Sequence, residues 1–317
     1  MEKIKGRFAP SPSGRMHLGN AFCALLAWLA CRSAGGTMTL RVEDLDPERC
    51  RPTYAWRLME DLEWMGLDWD QGPRPGQPPD RYWQSQRGEI YGRALEKLRE
   101  QGLLYPCFCT RAELHAAQAP HAADGLFVYD GRCRSLSPER RRELAQKRKP
   151  AVRLQVPAER IEFFDGCQGL CGQDLQTECG DFILRRSDGA WAYQLAVVCD
   201  DGAMGVNQVV RGRDLLSSTP RQLLLYRLIG LKPPQFYHIP LLLSAEGRRL
   251  SKRDGDLDLG ALREKRTAEE LTGYLAWLAG LLERPEPASP GQLLPLFDWG
   301  KIPRQDIRLP KGLFAEK

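Results

Sequence analysis

The chain has 317 residues, 42% hydrophobic and 27% charged, a balance that suits a globular protein of about two domains and excludes wholesale disorder. Lys and Arg number 46 against 41 Asp and Glu, so the net charge of +5 is far from a histone-like polycation, and any phosphate-binding surface must come from local clustering. The longest apolar run, Ala21 to Cys31, falls well short of the ~20 residues a spanning helix needs.

From the amino terminus, Met1 to Gly6 carries no apolar signal region, which predicts a cytoplasmic protein with no membrane partner and ten cysteines that are not paired in disulfides. Ile4 to Ala9 reads as a strand, Pro10 to Gly14 as a turn, and Leu18 to Arg32 as an apolar helix stopped by Gly35-Gly36. Thr37 to Glu43 is a second strand. Strand, helix and strand within ~40 residues form the βαβ unit of a parallel sheet. Helices are expected from Arg51 to Met65 and from Ser85 to Gln101.

The composition changes at Leu104. Up to Arg185 the chain reads as loop-rich, holds Cys107, Cys109, Cys133, Cys167, Cys171 and Cys179, and carries a basic run. The α/β pattern resumes with strand-like Trp191 to Val198, Gln208 to Val210, a helix from Leu215 to Leu228, and Tyr237 to Leu243. A helix over Ala268 to Leu282 precedes an irregular tail studded with Pro285, Pro287, Pro290, Pro295 and Pro303. The expected organisation is a Rossmann-like α/β domain in two halves, 1–103 and 186–259. An insertion at 104–185 splits them, and a short helical and irregular part follows at 260–317.

Two segments carry chemistry. Arg7 to Gly14 leads into His17-Leu18-Gly19-Asn20 at a helix start. A strand end followed by a helix amino terminus presents unpaired backbone N–H groups to a nucleotide; His17 can donate to a phosphate oxygen, and Gly19 lets a base approach. Far along the chain, Arg248 to Gly255 is a cation-rich loop around Lys252 that can reach over a triphosphate. Alone, each also fits a common turn or a solvated basic loop.

Together they resemble the two ATP signatures of class I aminoacyl-tRNA synthetases, in the right order. Arg7 to Gly14, Arg41 to Asp46, Tyr193 to Asp201 and Val210 to Leu215 further resemble the glutamyl-tRNA synthetase family. The second signature departs from the class pattern, with Arg249 and Arg253 at its ends, but its central Ser251-Lys252 is kept. The resemblance implies catalytic roles for His17, Gly19 and Lys252, ATP binding by these with Asn20 and Ser251, and Mg²⁺ as ATP's partner. It also implies a glutamate pocket of Arg7, Ser11, Glu43, Tyr193 and Arg211. Guanidinium forks suit glutamate's two carboxylates and Glu43 suits its ammonium.

Only residues 253–317 follow Lys252, whereas a helical anticodon-binding half needs ~100 residues or more. The resemblance therefore points to the short branch of the family, monomeric enzymes that attach glutamate to the queuosine base in the anticodon loop of tRNA(Asp). The alternatives are a truncated synthetase charging a tRNA 3′ end and a non-catalytic RNA-binding paralogue.

Within the insertion, the resemblance implies one structural zinc ion on Cys107, Cys109, Tyr129 and Cys133. Spacing alone leaves a metal evenly balanced, and His115 or His121 could replace the tyrosine. Cys167, Cys171 and Cys179 read as ordinary thiols, as do Cys23, Cys31, Cys50 and Cys199. The basic run Arg132, Arg134, Arg140, Arg141, Arg142, Lys147, Arg148, Lys149 and Arg153 is either an RNA footprint or, with Ser137-Pro138-Glu139 opening it, a solvated helix.

Overall fold

A computed structural model of the chain describes residues 2–110, 113, 128–250 and 258–310. Strand β1, Lys5–Phe8, runs parallel to β2, Thr37–Leu40, with Lys5 opposite Thr37 and Phe8 opposite Leu40. Between them lies α1, Leu18–Ser33, in which every residue from Ala24 to Cys31 is buried. A helix that is apolar all round must be covered on all sides. Here the sheet lies against one face and the carboxy-terminal part of the chain, including Leu271, Leu275 and Leu293, against another. The longest apolar run is thus a core helix. Among the described residues no helix is long and apolar enough to cross a membrane.

Two helices follow. The first, α2, spans Pro52–Trp64 with its proline in the first turn, where no intrahelical N–H is needed. The second, α3, spans Gly88–Glu100 and buries Tyr91, Ala94, Leu95 and Leu98, the one-sided stripe of an amphipathic helix.

The segment after Leu104 is more ordered than its composition suggests. It contains β3 (Leu104–Cys107), α4 (Pro138–Lys147), β4 (Ala151–Leu154), β5 (Arg160–Asp165), β6 (Gly169–Asp174) and β7 (Phe182–Arg185). Strands β3, β4 and β7 form an antiparallel sheet, and β5 pairs with β6 in a hairpin from Arg160 opposite Asp174 to Asp165 opposite Gly169. Ser137 caps α4, which buries no residue, so the basic run does open a solvated helix.

One expectation is overturned just beyond. The strand-like stretch Trp191 to Val198 forms instead the start of helix α5, Tyr193–Met204. Leu195 to Asp201 are all buried, so its helical periodicity is hidden behind a continuous apolar run, and such runs do not distinguish strand from buried helix. Gly205, at φ 67°, ends it in the left-handed conformation.

The parallel sheet resumes with β8, Gln208–Gly212, a 3-10 turn over Arg213–Ser218, helix α6, Thr219–Ile229, and β9, Gln235–Ile239. A short β10, Leu242–Leu243, pairs with β11, Ile307–Arg308, and between them stand α7, Leu259–Lys265, and α8, Ala268–Leu278. The main sheet has the order β2-β1-β8-β9, all parallel. Val210 faces the core around α1 while Val209 faces a second core around α3, α5 and α6, so successive side chains of β8 serve opposite faces. The chain runs from β1 to β2 on one side and from β8 to β9 on the other. The carboxyl ends of β1 and β8 therefore flank a switch point, where open α/β sheets place their ligand cleft.

Candidate active site

That cleft has a volume of about 780 Å³. Its walls bring together Arg7, Ser11, Glu43, Tyr193 and Arg211, the whole expected amino-acid pocket, with His17, Gly19 and Asn20 from the start of α1. Ser251 and Lys252 lie outside the described residues. Their neighbours Arg249 and Leu250 line the cleft, and Arg249 pairs with Asp214.

His17 is the residue before α1 and caps it: its Nδ1 accepts from the N–H of Gly19 at 3.1 Å and of Asn20 at 3.3 Å. Asn20 returns the bond, its Oδ1 accepting from the His17 N–H at 3.3 Å. Two consequences follow. Accepting at Nδ1 places the imidazole proton on Nε2, so the ring is a donor at its far nitrogen. The Asn20 side chain is engaged in the cap. The glycine at 19 also has a more local reason than base approach: a Cβ there would lie 3.1–3.2 Å from the His17 ring and displace it.

The two arginines are buried in different company. Arg7 donates from Nη1 to the Val210 carbonyl at 3.2 Å and its Nε lies 3.7 Å from Asp201. Arg211 donates from Nε to His238 Nε2 at 2.9 Å, from Nη2 to Thr219 Oγ1 at 2.8 Å, and from Nη1 to the Tyr193 hydroxyl at 3.4 Å. Glu43 lies three residues beyond β2, where it accepts from Arg41 at 3.1 Å. Burial pushes its carboxyl above the usual range, against the pull of Arg41 and Arg7.

Beneath the cleft runs a charged network with no role in the sequence reading. Arg41 is wholly buried and meets Asp201 at 2.6 Å and Asp200 at 3.7 Å. Asp200 also accepts from Gln84, Arg87 and Tyr91 at 2.8, 2.5 and 2.8 Å. The available signal was the Asp200-Asp201 pair ending an apolar run, since a buried carboxylate demands partners.

In the segment after Leu104, the Sγ atoms of Cys107, Cys109 and Cys133 lie within 4.8 Å of one another. The Tyr129 hydroxyl stands 3.6 Å from the sulfurs of Cys107 and Cys109, and the Cys109 and Cys133 sulfurs are 3.6 Å apart. Four donors around a tetrahedral zinc would be separated by about 3.8 Å between sulfurs and about 3.5 Å between sulfur and oxygen. The residues present fit such an ion. His115 and His121 lie outside the described residues. Among the described residues this is the only group of three or more Cys, His, Asp or Glu side chains of that kind, which leaves Cys167, Cys171 and Cys179 as separate thiols.

Residues 3–276 match the family model described as tRNA synthetases class I (E and Q), catalytic domain. The chain is 50% identical to the glutamyl-Q tRNA(Asp) synthetase of Symbiobacterium thermophilum over 98% of its own length and 97% of the relative's. The enzyme of the same name from Nitratidesulfovibrio vulgaris is also 50% identical, with the same coverage. The chain belongs to the glutamyl-Q tRNA(Asp) synthetase family. Among solved structures, a glutamate tRNA ligase from Elizabethkingia meningosepticum, crystallised in complex with its amino acid, superposes with a TM-score of 0.82 at 32% identity. It covers 97% of this chain, but this chain covers 67% of it. The α/β parallel-sheet class I catalytic fold expected from the motifs is therefore the observed one.

The basic run gains an internal explanation within this family member. Arg134 is bidentate to Asp181 at 2.6–3.1 Å, and Arg153 donates to the Asp181 carbonyl at 2.6 Å while its guanidinium stacks 3.8 Å over the Tyr129 ring. Arg132, Arg140 and Arg142 pair with Asp130, Glu143 and Glu139, and Arg148 donates to the Phe108 carbonyl. Arg141 reaches the Arg134 carbonyl, whereas Lys147 and Lys149 are exposed near the end of α4.

Proposed function

We propose that this cleft activates glutamate with ATP to glutamyl-adenylate and passes the glutamyl group to the queuosine base of tRNA(Asp). The observation that carries the reading is the union, in one cleft, of two buried arginines and a buried glutamate with a capped helix amino terminus. The relatives at 50% identity bear the matching name.

Glutamate brings two carboxylates and one ammonium. Arg7 and Arg211 supply the cations, Glu43 the anion, and Ser11 and the Tyr193 hydroxyl further hydrogen bonds. A neutral amide in place of the side-chain carboxylate would leave a buried guanidinium unpaired, which selects against glutamine. The α-carboxylate attacks the α-phosphate of ATP, and pyrophosphate leaves. The chain's contribution is to hold the reactants and stabilise charge: His17 through Nε2–H, the α1 amino terminus with Gly19 and Asn20 lining it, and Ser251 and Lys252 from the second signature. ATP enters as its Mg²⁺ complex. A queuosine hydroxyl then attacks the acyl carbon of the mixed anhydride and forms an ester, the bond to the phosphate-bound oxygen breaking as AMP leaves and the hydroxyl proton passing to the released phosphate or to solvent.

Cys107, Cys109, Tyr129 and Cys133 would hold one zinc ion, with no open position for water. When bound it supplies structural cross-linking of 104–110 to 129–133. We read 104–185 as an insertion between catalytic halves 1–103 and 186–259, followed by a carboxy-terminal part at 260–317. Arg132, Arg140, Arg142, Lys147, Arg148 and Lys149 are exposed, and this part of the basic run stays a candidate RNA contact. The protein acts as a cytoplasmic monomer on this reading.

Pyrophosphate exchange with glutamate, ATP and no tRNA tests the first step. Transfer is tested with labelled glutamate on tRNA(Asp) with and without queuosine, followed by ribonuclease mapping. Label confined to the anticodon fragment of queuosine-containing tRNA is the expected result. Label at the 3′ end would replace this reading with that of a truncated synthetase.

A further inference from the structure

Arg211 is held by a buried chain of hydrogen bonds that reaches back to the turn of the β5–β6 hairpin. His238, on β9 beside β8, is wholly buried and contacts three groups through its two nitrogens, since its Nε2 lies 3.2 Å from Thr219 Oγ1 as well as beside Arg211. Its Nε2 lies 2.9 Å from Arg211 Nε, and its Nδ1 lies 2.5 Å from Asp165 Oδ2. A guanidinium Nε can only donate, so His238 Nε2 must be the lone pair. The imidazole proton therefore sits on Nδ1 and is given to Asp165. Asp165 is fixed in turn: its Oδ1 accepts from the N–H groups of Cys167, Gln168 and His238 at 3.0, 2.9 and 3.1 Å. Burial holds the His238 pKa below its ordinary value, in keeping with a neutral ring beside a guanidinium.

With Nε taken by His238 and Nη2 by Thr219 and the Leu215 carbonyl, Arg211 faces the cleft through Nη1, beside Tyr193. We infer that Asp165 and His238 are positioning residues for the amino-acid pocket: Asp165 fixes the tautomer of His238, and His238 fixes the edge of Arg211 presented to a glutamate carboxylate. The inference rests on the reading of Arg211 as a glutamate ligand.

Asp165→Asn is the sharpest perturbation. The amide oxygen can keep the three backbone N–H bonds, which leaves the amide N–H₂ facing His238 Nδ1. That ring nitrogen must then accept, its proton moves to Nε2, and Nε2–H confronts Arg211 Nε–H, the same tautomer reversal that an Asp-to-Asn change causes in a Ser-His-Asp triad. In pyrophosphate exchange the expected result is a KM for glutamate raised roughly tenfold or more, with the KM for ATP within about twofold. His238→Leu should behave alike, and His238→Gln, whose Oε1 can accept from Arg211, should recover most of the loss.

Nitrogen-15 chemical shifts of the wild-type histidines supply a reading independent of catalysis and of variant folding. An Nδ1–H tautomer for His238 is expected, and an Nε2–H tautomer overturns the inference. An Asp165→Asn protein with unchanged KM for glutamate also overturns it, as does one in which both KM values rise together with a loss of thermal stability. Arg211→Lys separates the two readings: if it raises the KM for glutamate while Asp165→Asn is silent, only the relay fails. If Arg211→Lys is itself silent, the pocket assignment falls and the relay with it.

Discussion

His17 has one job in the structure and a second proposed for it, and they can be separated by substitution. Its Nδ1 caps α1 through Gly19 and Asn20, and its Nε2–H is the proposed phosphate donor. Replacing it with alanine removes both. Loss of an amino-terminal cap costs about 1 kcal/mol, which for a chain of this size lowers the melting temperature by only about 2 °C. Asparagine is among the best capping residues, so His17→Asn should keep stability within ~0.5 kcal/mol of the wild type. Its short side chain has no group at the position of Nε2. If the donor acts on the developing phosphate charge, both variants lose the same transition-state contact, and exchange at saturating glutamate and ATP falls about 10²-fold in each. Thermal melts and pyrophosphate exchange on the two proteins suffice. Should His17→Asn retain its rate to within about threefold while His17→Ala loses it, the histidine acts only as a cap and the proposed phosphate contact is wrong.

Other perturbations test other parts. Cys133→Ala removes one of the four proposed zinc ligands, and metal analysis should show a drop from about one zinc per chain to almost none, with a lower melting temperature; equal metal in both proteins would refute the assignment. Asp200→Ala leaves Arg87 and Arg41 facing a lost carboxylate, and denaturant titration should find a loss of about 3–5 kcal/mol. Because burial raises the Glu43 pKa above its ordinary 4.5, its ionised form, and with it ammonium binding, is lost as pH falls, starting at a higher pH than for an exposed carboxylate. The acid limb of kcat/KM for glutamate should show this, and Glu43→Gln should lack it.

What the sequence disclosed and what it hid follow from the range of the interactions concerned. The first βαβ unit is local, so Ile4 to Glu43 could be read from apolar pattern and turn residues, and the observed bounds differ by a few positions. Eight of the ten residues expected to share a cleft do so, because each lies at or just beyond a strand's carboxyl end or in the first turn of a helix on one rim of the sheet; Ser251 and Lys252 lie outside the described residues. Helix α5 was hidden because both its faces are buried, and the antiparallel strands after Leu104 because β3, β4 and β7 have only four residues each, too few to show alternation. The Asp165–His238–Arg211 chain left no trace, since partners 73 and 27 positions apart meet only when the hairpin folds onto β9. Arg134 and Arg153 belong to a basic run whose role the sequence left open between RNA footprint and solvated helix, and their contacts with Asp181 and the Tyr129 ring were equally illegible there.

The sequence could not rank the two arginines of the pocket, but their surroundings do. Arg7 shares its charge with Asp201, which Arg41 also engages. The partners of Arg211 are uncharged: neutral His238, Thr219, Tyr193 and a backbone carbonyl. A cation whose charge is offset by a neighbour attracts a ligand less than one held by dipoles alone, and the difference is amplified where water is excluded. Arg211 should therefore contribute more of the attraction for a glutamate carboxylate. Its removal should also be the gentler change for the fold, because no buried carboxylate is orphaned. Arg211→Leu is expected to raise the KM for glutamate by about 10²-fold, and Arg7→Leu by about tenfold, in glutamate-dependent pyrophosphate exchange. The reverse order would mean that the Asp201 pair positions Arg7 rather than dampening it, and the electrostatic ranking would be refuted.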